Sequence, residues 1–378
     1  MTAGQGRRVP GLALAILLPF AGCGSDAGSP SPAPTAAPSP RPYALGFTDF
    51  PHARTVEAAS AALEVIRSDA DLIVMHFDDG VPWDEAAAGG SYPPAYEALL
   101  RDKALAQPPG HVRYLAVTPI AFERDRLAAR RGNDGSEPLL PPWDARSFDH
   151  PSVVQAFTTH CERMIATFDP DFFAYGIEAN MLEVLAPEKW PAFVRLVRAV
   201  YSSLKGRHPS LPIFLTFQVD FLHADPGGQT LAIQEVLPYT DLLAASSYPF
   251  SDDPDPTRLS ADHFEALAAL APDKPFAVAE TAWPGEDVTA PYPTFIPSNE
   301  ENQRLYVERL LSDADRLWAA FVCWFFTRDY DEWWESEIRF LPNAPLLRLW
   351  KDTGLYRGDG SPRPALETWR AALARPRG

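Results

Sequence analysis

Three cysteines in 378 residues are too few for a disulfide-built scaffold. They are Cys23, Cys161 and Cys323. Neither they nor the histidines fall at zinc-type spacings, so no metal site is expected. No glycine-rich phosphate loop follows the first apolar run, which leaves a doubly wound nucleotide-binding sheet without support. No solenoid-type repeat recurs. The N-terminal apolar run is too short to span a bilayer stably, and no later segment is long and apolar enough to do so. Positive charge is also scarce: 33 Lys and Arg face 50 Asp and Glu, a net charge of −17. Such a surface argues against nucleic acid or anionic lipid as partners. Cys161 falls in a helical stretch and Cys323 in an apolar strand, and both read as small buried side chains. A disulfide between them stays open but is not indicated.

The chain does have an export pattern at its start. Arg7 and Arg8 precede an apolar stretch from Val9 to Phe20, followed by Ala21, Gly22 and Cys23. Cysteine after Ala-Gly resembles a bacterial lipobox, with Phe20 in place of the usual Leu. That resemblance implies a signal peptide over 1–22 and a lipidated Cys23 as the first mature residue. The alternative is an ordinary secretory signal with a chance cysteine. Residues 24–42, GSDAGSPSPAPTAAPSPRP, offer almost nothing to bury and read as a semi-extended tether. The expectation is an exported protein, monomeric, touching the membrane only through its lipid, with a folded domain over 43–378.

With 46% hydrophobic residues the chain can bury a sizeable core. Eight strand-like runs stand out, at 43–49, 71–77, 112–119, 171–178, 212–219, 241–248, 275–280 and 319–326. They are continuously apolar rather than alternating, as buried parallel strands are. Helical patterns separate them, over 55–67, 92–106, 152–167, 188–205, 229–237, 260–270, 299–318 and 343–352. Ser298 with Glu301 three residues on suggests a capping box. Strand then helix, repeated around, predicts an α/β fold, a (β/α)₈ TIM barrel.

In that fold the C-terminal strand ends meet at one mouth. Read in order, those ends carry Asp49; His76 and Asp78; Thr118; Glu178 and Asn180; Gln218 and Asp220; Tyr248; Glu280 and Trp283; Trp324. Aromatic faces stack on sugars and amides bind hydroxyls, so a polysaccharide or oligosaccharide is the expected partner. Tyr248, Trp324, Asn180, Trp283, His76, Asp49 and Gln218 are the candidate binding residues. Glu178 and Glu280 each follow an apolar run, and a carboxylate pair across a pocket is what glycosidic hydrolysis requires.

GIEAN (176–180), SSYPF (246–250) and ETAWP (280–284) together resemble glycoside hydrolase clan A, and within it the arabinogalactan endo-β-1,4-galactanases. The resemblance implies Glu178 as acid/base, Glu280 as nucleophile, Tyr248 holding Glu280, Trp324 beneath the sugar, and no cofactor. Two positions depart from the clan pattern. Ile177 stands where an Asn usually precedes the acid/base, and the second strand carries His76 without an Arg. Two readings follow: a retaining glycoside hydrolase acting on β-linked glycans, or a surface lipoprotein that kept the sugar-binding barrel and lost turnover.

Overall fold

The computed structural model describes residues 39–378. The expected signal, Cys23 and most of the tether lie outside the described residues.

Eight parallel strands close a barrel. They are β1 Ala44–Thr48, β2 Leu72–Phe77, β3 Val112–Val117, β4 Phe172–Ala174, β5 Ile213–Phe214 continuing as Thr216–Gln218, β6 Leu243–Ser247, β7 Phe276–Thr281 and β8 Phe321–Trp324. β1 pairs with β8 and β2. The first half of β5 pairs with β4 and its second half with β6, so no free edge is left. Helices α1 Val56–Asp69, α2 Pro94–Ala106, α3 Pro151–Phe168, α4 Trp190–Arg207, α5 Pro226–Val236, α6 Glu265–Ala268, α7 Glu300–Arg316 and α8 Pro364–Leu373 follow the strands in turn. This is the (β/α)₈ barrel expected from the sequence.

The helix pattern explains itself locally. In α4, Trp190, Phe193, Leu196, Val197, Val200 and Leu204 are buried at helical spacing, and proline occupies the first turn, where its missing N–H costs nothing. α7 begins one residue later than expected: Asn299, not Ser298, accepts from the Asn302 N–H at 2.9 Å. Ser298 is engaged elsewhere, donating to the Pro284 carbonyl. The 260–270 pattern is helical only over Glu265–Ala268. Arg309 takes the carbonyls of Leu259, Ser260 and Ala261, which a longer helix would need for itself.

Strand residues alternate between the helix layer and the barrel interior. The interior is filled by Leu72, Val74, Tyr114, Phe214, Phe321 and Cys323 with alanines on β6 and β7. The Tyr114 ring lies 4.9 Å from Phe321 and 5.5 Å from Phe214, so three aromatics plug the barrel below the mouth. Gly46 permits the β1–β2 approach; a Cβ there would sit 2.2 Å from the Leu72 carbonyl oxygen. Cys161 and Cys323 are both buried free thiols. Among the described residues no helix is long and apolar enough to cross a membrane.

The end of the expected tether is folded. Arg41 is buried, pairs with Asp71 at 2.6 Å, and donates its N–H to Pro376. Asp71 also accepts from the Leu45 N–H, so this contact fixes the start of β1.

Candidate active site

β7 sets Glu280 by an irregularity. Ala277 and Ala279 face the barrel interior, so strict alternation would turn Glu280 outward. The register slips between Val278 and Glu280 against β6, and between Val278 and Thr281 against β8. The extra residue turns Glu280 into the mouth, as bulges beside active sites do. The Tyr248 hydroxyl, at the end of β6, donates to Glu280 Oε1. His76 of β2 stands with Nδ1 3.8 Å from Oε2, beyond hydrogen-bond length. Burial, and next the charge of Glu178, push the Glu280 carboxyl well above the usual range; the Tyr248 hydroxyl and Arg124 oppose this. His76 is pushed down to about 4, by burial first and then by the charge of Arg124, so it is neutral at neutral pH.

Glu178 does not end a strand. β4 stops at Ala174, and Ile177 fills the barrel interior. Glu178 follows in a left-handed turn with φ 48°. Its N–H is held by the Thr216 hydroxyl at 2.7 Å. Its carboxylate accepts from the Ser246 hydroxyl at 2.7 Å and from Arg124 Nε and Nη2 at 3.2 and 3.0 Å. Ser246 is the sheet partner of Glu280, so the two glutamates converge at one register level. Arg124 comes from the turn after β3 and also pairs with Asp78 at 2.8 Å. It too has a left-handed backbone, φ 58°. Among the described residues, the other non-glycine positions with positive φ, Asp169 and Trp318, lie just past the ends of α3 and α7, where such geometry is common. Glu178 and Arg124 have no helix end to explain theirs. Backbone strain of this kind gathers at functional sites.

The remaining candidates divide. Asp49 is near the mouth but is ion-paired to Lys103 of α2. Trp324 is fully buried on the opposite face of the sheet: Phe321 and Cys323 point inward, so Trp324 points to the helix layer, where its Nε1–H bonds the Thr353 carbonyl at 2.8 Å. It cannot lie beneath a sugar. Trp283 is likewise enclosed, against Tyr306 and Phe250, with its N–H on Ser298. Asn180 is fully buried and joins the loop after β4 to β5, accepting from the Gln218 N–H at 2.7 Å and donating to Gln229 at 2.6 Å. Gln218 caps the turn that follows β5 and holds Asp220. These four serve the scaffold rather than the mouth.

Other residues take the vacated places. Phe325, next in alternation after Cys323, stacks edge-on to His76 at 5.3 Å, with Phe50 and Phe326 beside it. Trp350 meets Tyr248 edge-on at 5.4 Å. Asp220 accepts from the Tyr248 N–H at 2.8 Å and from Ser247 at 2.9 Å, which positions the tyrosine; burial raises its carboxyl to about 6. Beside the mouth lies a cleft of about 1250 Å³ between the loops after β2, β3, β4 and β8, lined by Asp78, Phe122, Trp143, Arg146, Glu188 and Leu347 among others. Asp78 borders the cleft and bonds Arg124, which bonds Glu178.

A further acidic group, Glu286, Asp329 and Asp352, is matched by cations: Arg363 bonds the first two, and Arg348 and Lys351 bond the third. Its charges are thereby satisfied within the protein.

The fold is a (β/α)₈ barrel with two buried glutamates, Glu178 and Glu280, brought together at its mouth. No family model matches the chain, and no curated protein matches it by sequence. Solved structures do. An alanine variant of GH5_18 from Streptomyces cattleya, in complex with Manβ1-4GlcNAc, is similar with a TM-score of 0.61 at 17% identity, over 90% of this chain and 83% of that one. The GH53 catalytic domain of Ignisphaera aggregans gives 0.52 at 18% identity, over 82% and 88%. The exo-β-1,4-mannosidase Op5Man5 from Opitutaceae bacterium strain TAV5 gives 0.58 at 14% identity over 88% of this chain, which spans 59% of that protein. At these identities the likeness is one of fold.

Proposed function

We propose that the chain is a retaining glycoside hydrolase acting on a β-linked glycan, exported and held to the cell envelope by a lipid on Cys23. The observation that carries the reading is the convergence of two buried glutamates from opposite parts of the chain, with the charge of Glu178 acting on Glu280 and the Tyr248 hydroxyl on Glu280. Placing two like charges in a buried site is costly, and groups perturbed in this way gather at functional sites.

The chemistry needs one carboxylate and one carboxylic acid. The carboxylate attacks the anomeric carbon while the acid protonates the departing oxygen. The acid, now a base, then takes a proton from the water that releases the sugar. Carboxyls serving this double displacement stand about 5–5.5 Å apart. No step calls for a metal or cofactor. The glycan would lie in the cleft beside Asp78 and reach the glutamates past Arg124. The SSYPF and ETAWP motifs, with a GH53 domain among similar structures, make β-1,4-galactan the first substrate to try.

The test is reducing-end release by the 39–378 chain on a panel of β-linked polysaccharides, with Glu280→Ala alongside. Activity lowered by about 10³-fold or more in the variant supports the reading. Equal activity in both proteins removes Glu280 from the chemistry.

The second reading, a carbohydrate-binding lipoprotein without turnover, is favoured by one feature: Arg124 and Ser246 already occupy both oxygens of Glu178. Calorimetric binding of a glycan that is never cleaved would select it.

A further inference from the structure

The two glutamates look onto different surroundings. The cleft beside the mouth, at about 1250 Å³, exceeds the roughly 300–1,000 Å³ of an ordinary small-molecule site, so it has room for more than one sugar. It opens on the Glu178 side: Asp78 borders it and is tied through Arg124 to Glu178. Glu280 faces aromatic rings instead. His76 Nδ1 stands 3.8 Å from its carboxylate. Phe325 packs against His76 at 5.3 Å and against Tyr248 at 6.2 Å. Phe50 closes on His76 and Phe325 at 5.9 and 5.5 Å, and Trp350 backs Tyr248. None of these rings lines the cleft.

Most charges along the cleft are already matched. Glu123 pairs with Arg126, Glu137 with Arg130 and Asp79 with Arg131. Lys189 donates to the Asp125 carbonyl at 2.6 Å. Arg146, in the run leading into α3, is the exception. Its guanidinium lies 4.2 Å over the Trp143 ring, and among the described residues it has no carboxylate or carbonyl partner. Trp143 is itself held, by Trp83 stacked 5.5 Å away and by its Nε1–H bond to Asp84 at 2.6 Å. Stacking on the ring fixes the guanidinium plane and leaves the N–H donors at its edge unspent. A cleft of matched charges with unspent donors suits the hydroxyls of a neutral glycan.

We propose that this cleft holds the departing part of a neutral glycan, with Arg146 on Trp143 as its binding contact, and that the aromatic wall beside Glu280 limits the retained part to one terminal sugar. The inference rests on the two-glutamate reading, with Glu178 as the acid that the clan resemblance implies. In double displacement the acid stands beside the departing oxygen and the nucleophile beneath the sugar that is retained. A cleft on the acid's side therefore receives the departing chain, and a wall beside the nucleophile closes the site behind the first sugar. The chain then works from the non-reducing end of its substrate. Each turnover consumes one water and leaves a free monosaccharide and a glycan one unit shorter.

The test uses β-1,4-linked galacto-, manno- and gluco-oligosaccharides of two to six units, labelled at the reducing end. The expected early products are a free monosaccharide and a labelled chain one unit shorter, at every length. KM should fall by about tenfold or more between two and four units, as added sugars reach the cleft, while kcat holds. Arg146→Ala should raise KM for the longer chains by about tenfold and leave the two-unit substrate and the thermal stability unchanged. Arg146→Gln, which keeps two N–H donors, should fall between the two proteins. Early labelled products of mixed length, as internal cleavage gives, overturn the chain-end mode and leave the hydrolase reading standing. Equal KM in Arg146→Ala at every length removes Arg146 from the site. Failure to cleave any chain overturns the hydrolase reading and the chain-end mode with it. Calorimetry of the same oligosaccharides then decides the cleft: binding that tightens with length and weakens in Arg146→Ala keeps it, and no binding overturns it.

Discussion

At the scale of single residues, the mouth concentrates buried charge, and two consequences can be measured. The first concerns Tyr248. Its hydroxyl is the hydrogen-bond donor to Glu280 and lowers the proton affinity of that carboxyl. Tyr248→Phe keeps the ring against Trp350 and Phe325 and removes the bond to Glu280. Activity should fall by about 10–100-fold, and the pH profile should shift upward on the limb set by Glu280. A profile that falls in height without shifting would show that the hydroxyl touches substrate instead. The second concerns stability. The folded protein binds the Glu280 proton more tightly than the unfolded chain, whose ordinary value is near 4.5. Over the pH window above that value the unfolded chain holds fewer protons, so stability falls as pH rises until Glu280 ionises in the fold as well. Glu280→Gln cannot ionise. It should be the more stable protein at neutral pH in denaturant titrations, with the advantage shrinking towards pH 4.5. An equal or lower stability at neutral pH would mean that the buried charge is fully compensated.

At the scale of elements, the strands and their alternation decide which side chains reach the mouth. The apolar runs made all eight strands legible, but where a strand ends was less so. The run containing Glu178 is apolar to residue 177, yet it leaves the sheet at Ala174 and carries Ile177 inward through a turn. Aromatic identity alone points to Trp324 as a mouth residue, but strand parity does not: Cys323 inward means Trp324 outward and Phe325 inward, a signal present in the sequence. Parity fails at Glu280, because a bulge adds a residue there and leaves no mark in a stretch of small apolar side chains. Arg124 gave no signal at all: it is one arginine in a long loop, and its role comes from contacts to residues 46 and 54 positions away. Asn180 shows the converse, a polar residue at a strand end that the fold itself consumes. Asn180→Ala removes the acceptor of the Gln218 N–H and the donor to Gln229, all buried. It should cost about 2–4 kcal/mol of unfolding free energy while leaving KM for any glycan substrate near its original value. A raised KM at unchanged stability would return Asn180 to the binding site.

At the scale of the molecule, the barrel was legible because strand–helix alternation is a pattern of long runs, whereas its closure at the base depends on chain ends that carry no such pattern. Composition placed the tether over 23–42, since Pro, Ser and Ala bury little. The structure folds its last residues: Arg41 lies under the barrel, paired with Asp71, while Gly378 returns its N–H to the Arg41 carbonyl. Arg375 adds bonds to Ser39 and Pro40. N- and C-terminal segments thus clasp one another beneath β1, and Asp71 orders the first strand through Leu45. Asp71 is 29% exposed, so water would partly replace a lost partner. A chain beginning at Tyr43 should therefore lose about 1–3 kcal/mol relative to one beginning at Ser39, a fall in Tm of about 2–6 °C. Arg41→Ala in the longer chain should reproduce most of that fall, because Arg41 supplies the buried charge. If both chains melt together, residues 39–42 act only as tether and the barrel closes without them. If the short chain melts lower and Arg41→Ala does not, the main-chain clasp to Pro376 and Gly378 carries the stability and the ion pair with Asp71 is incidental.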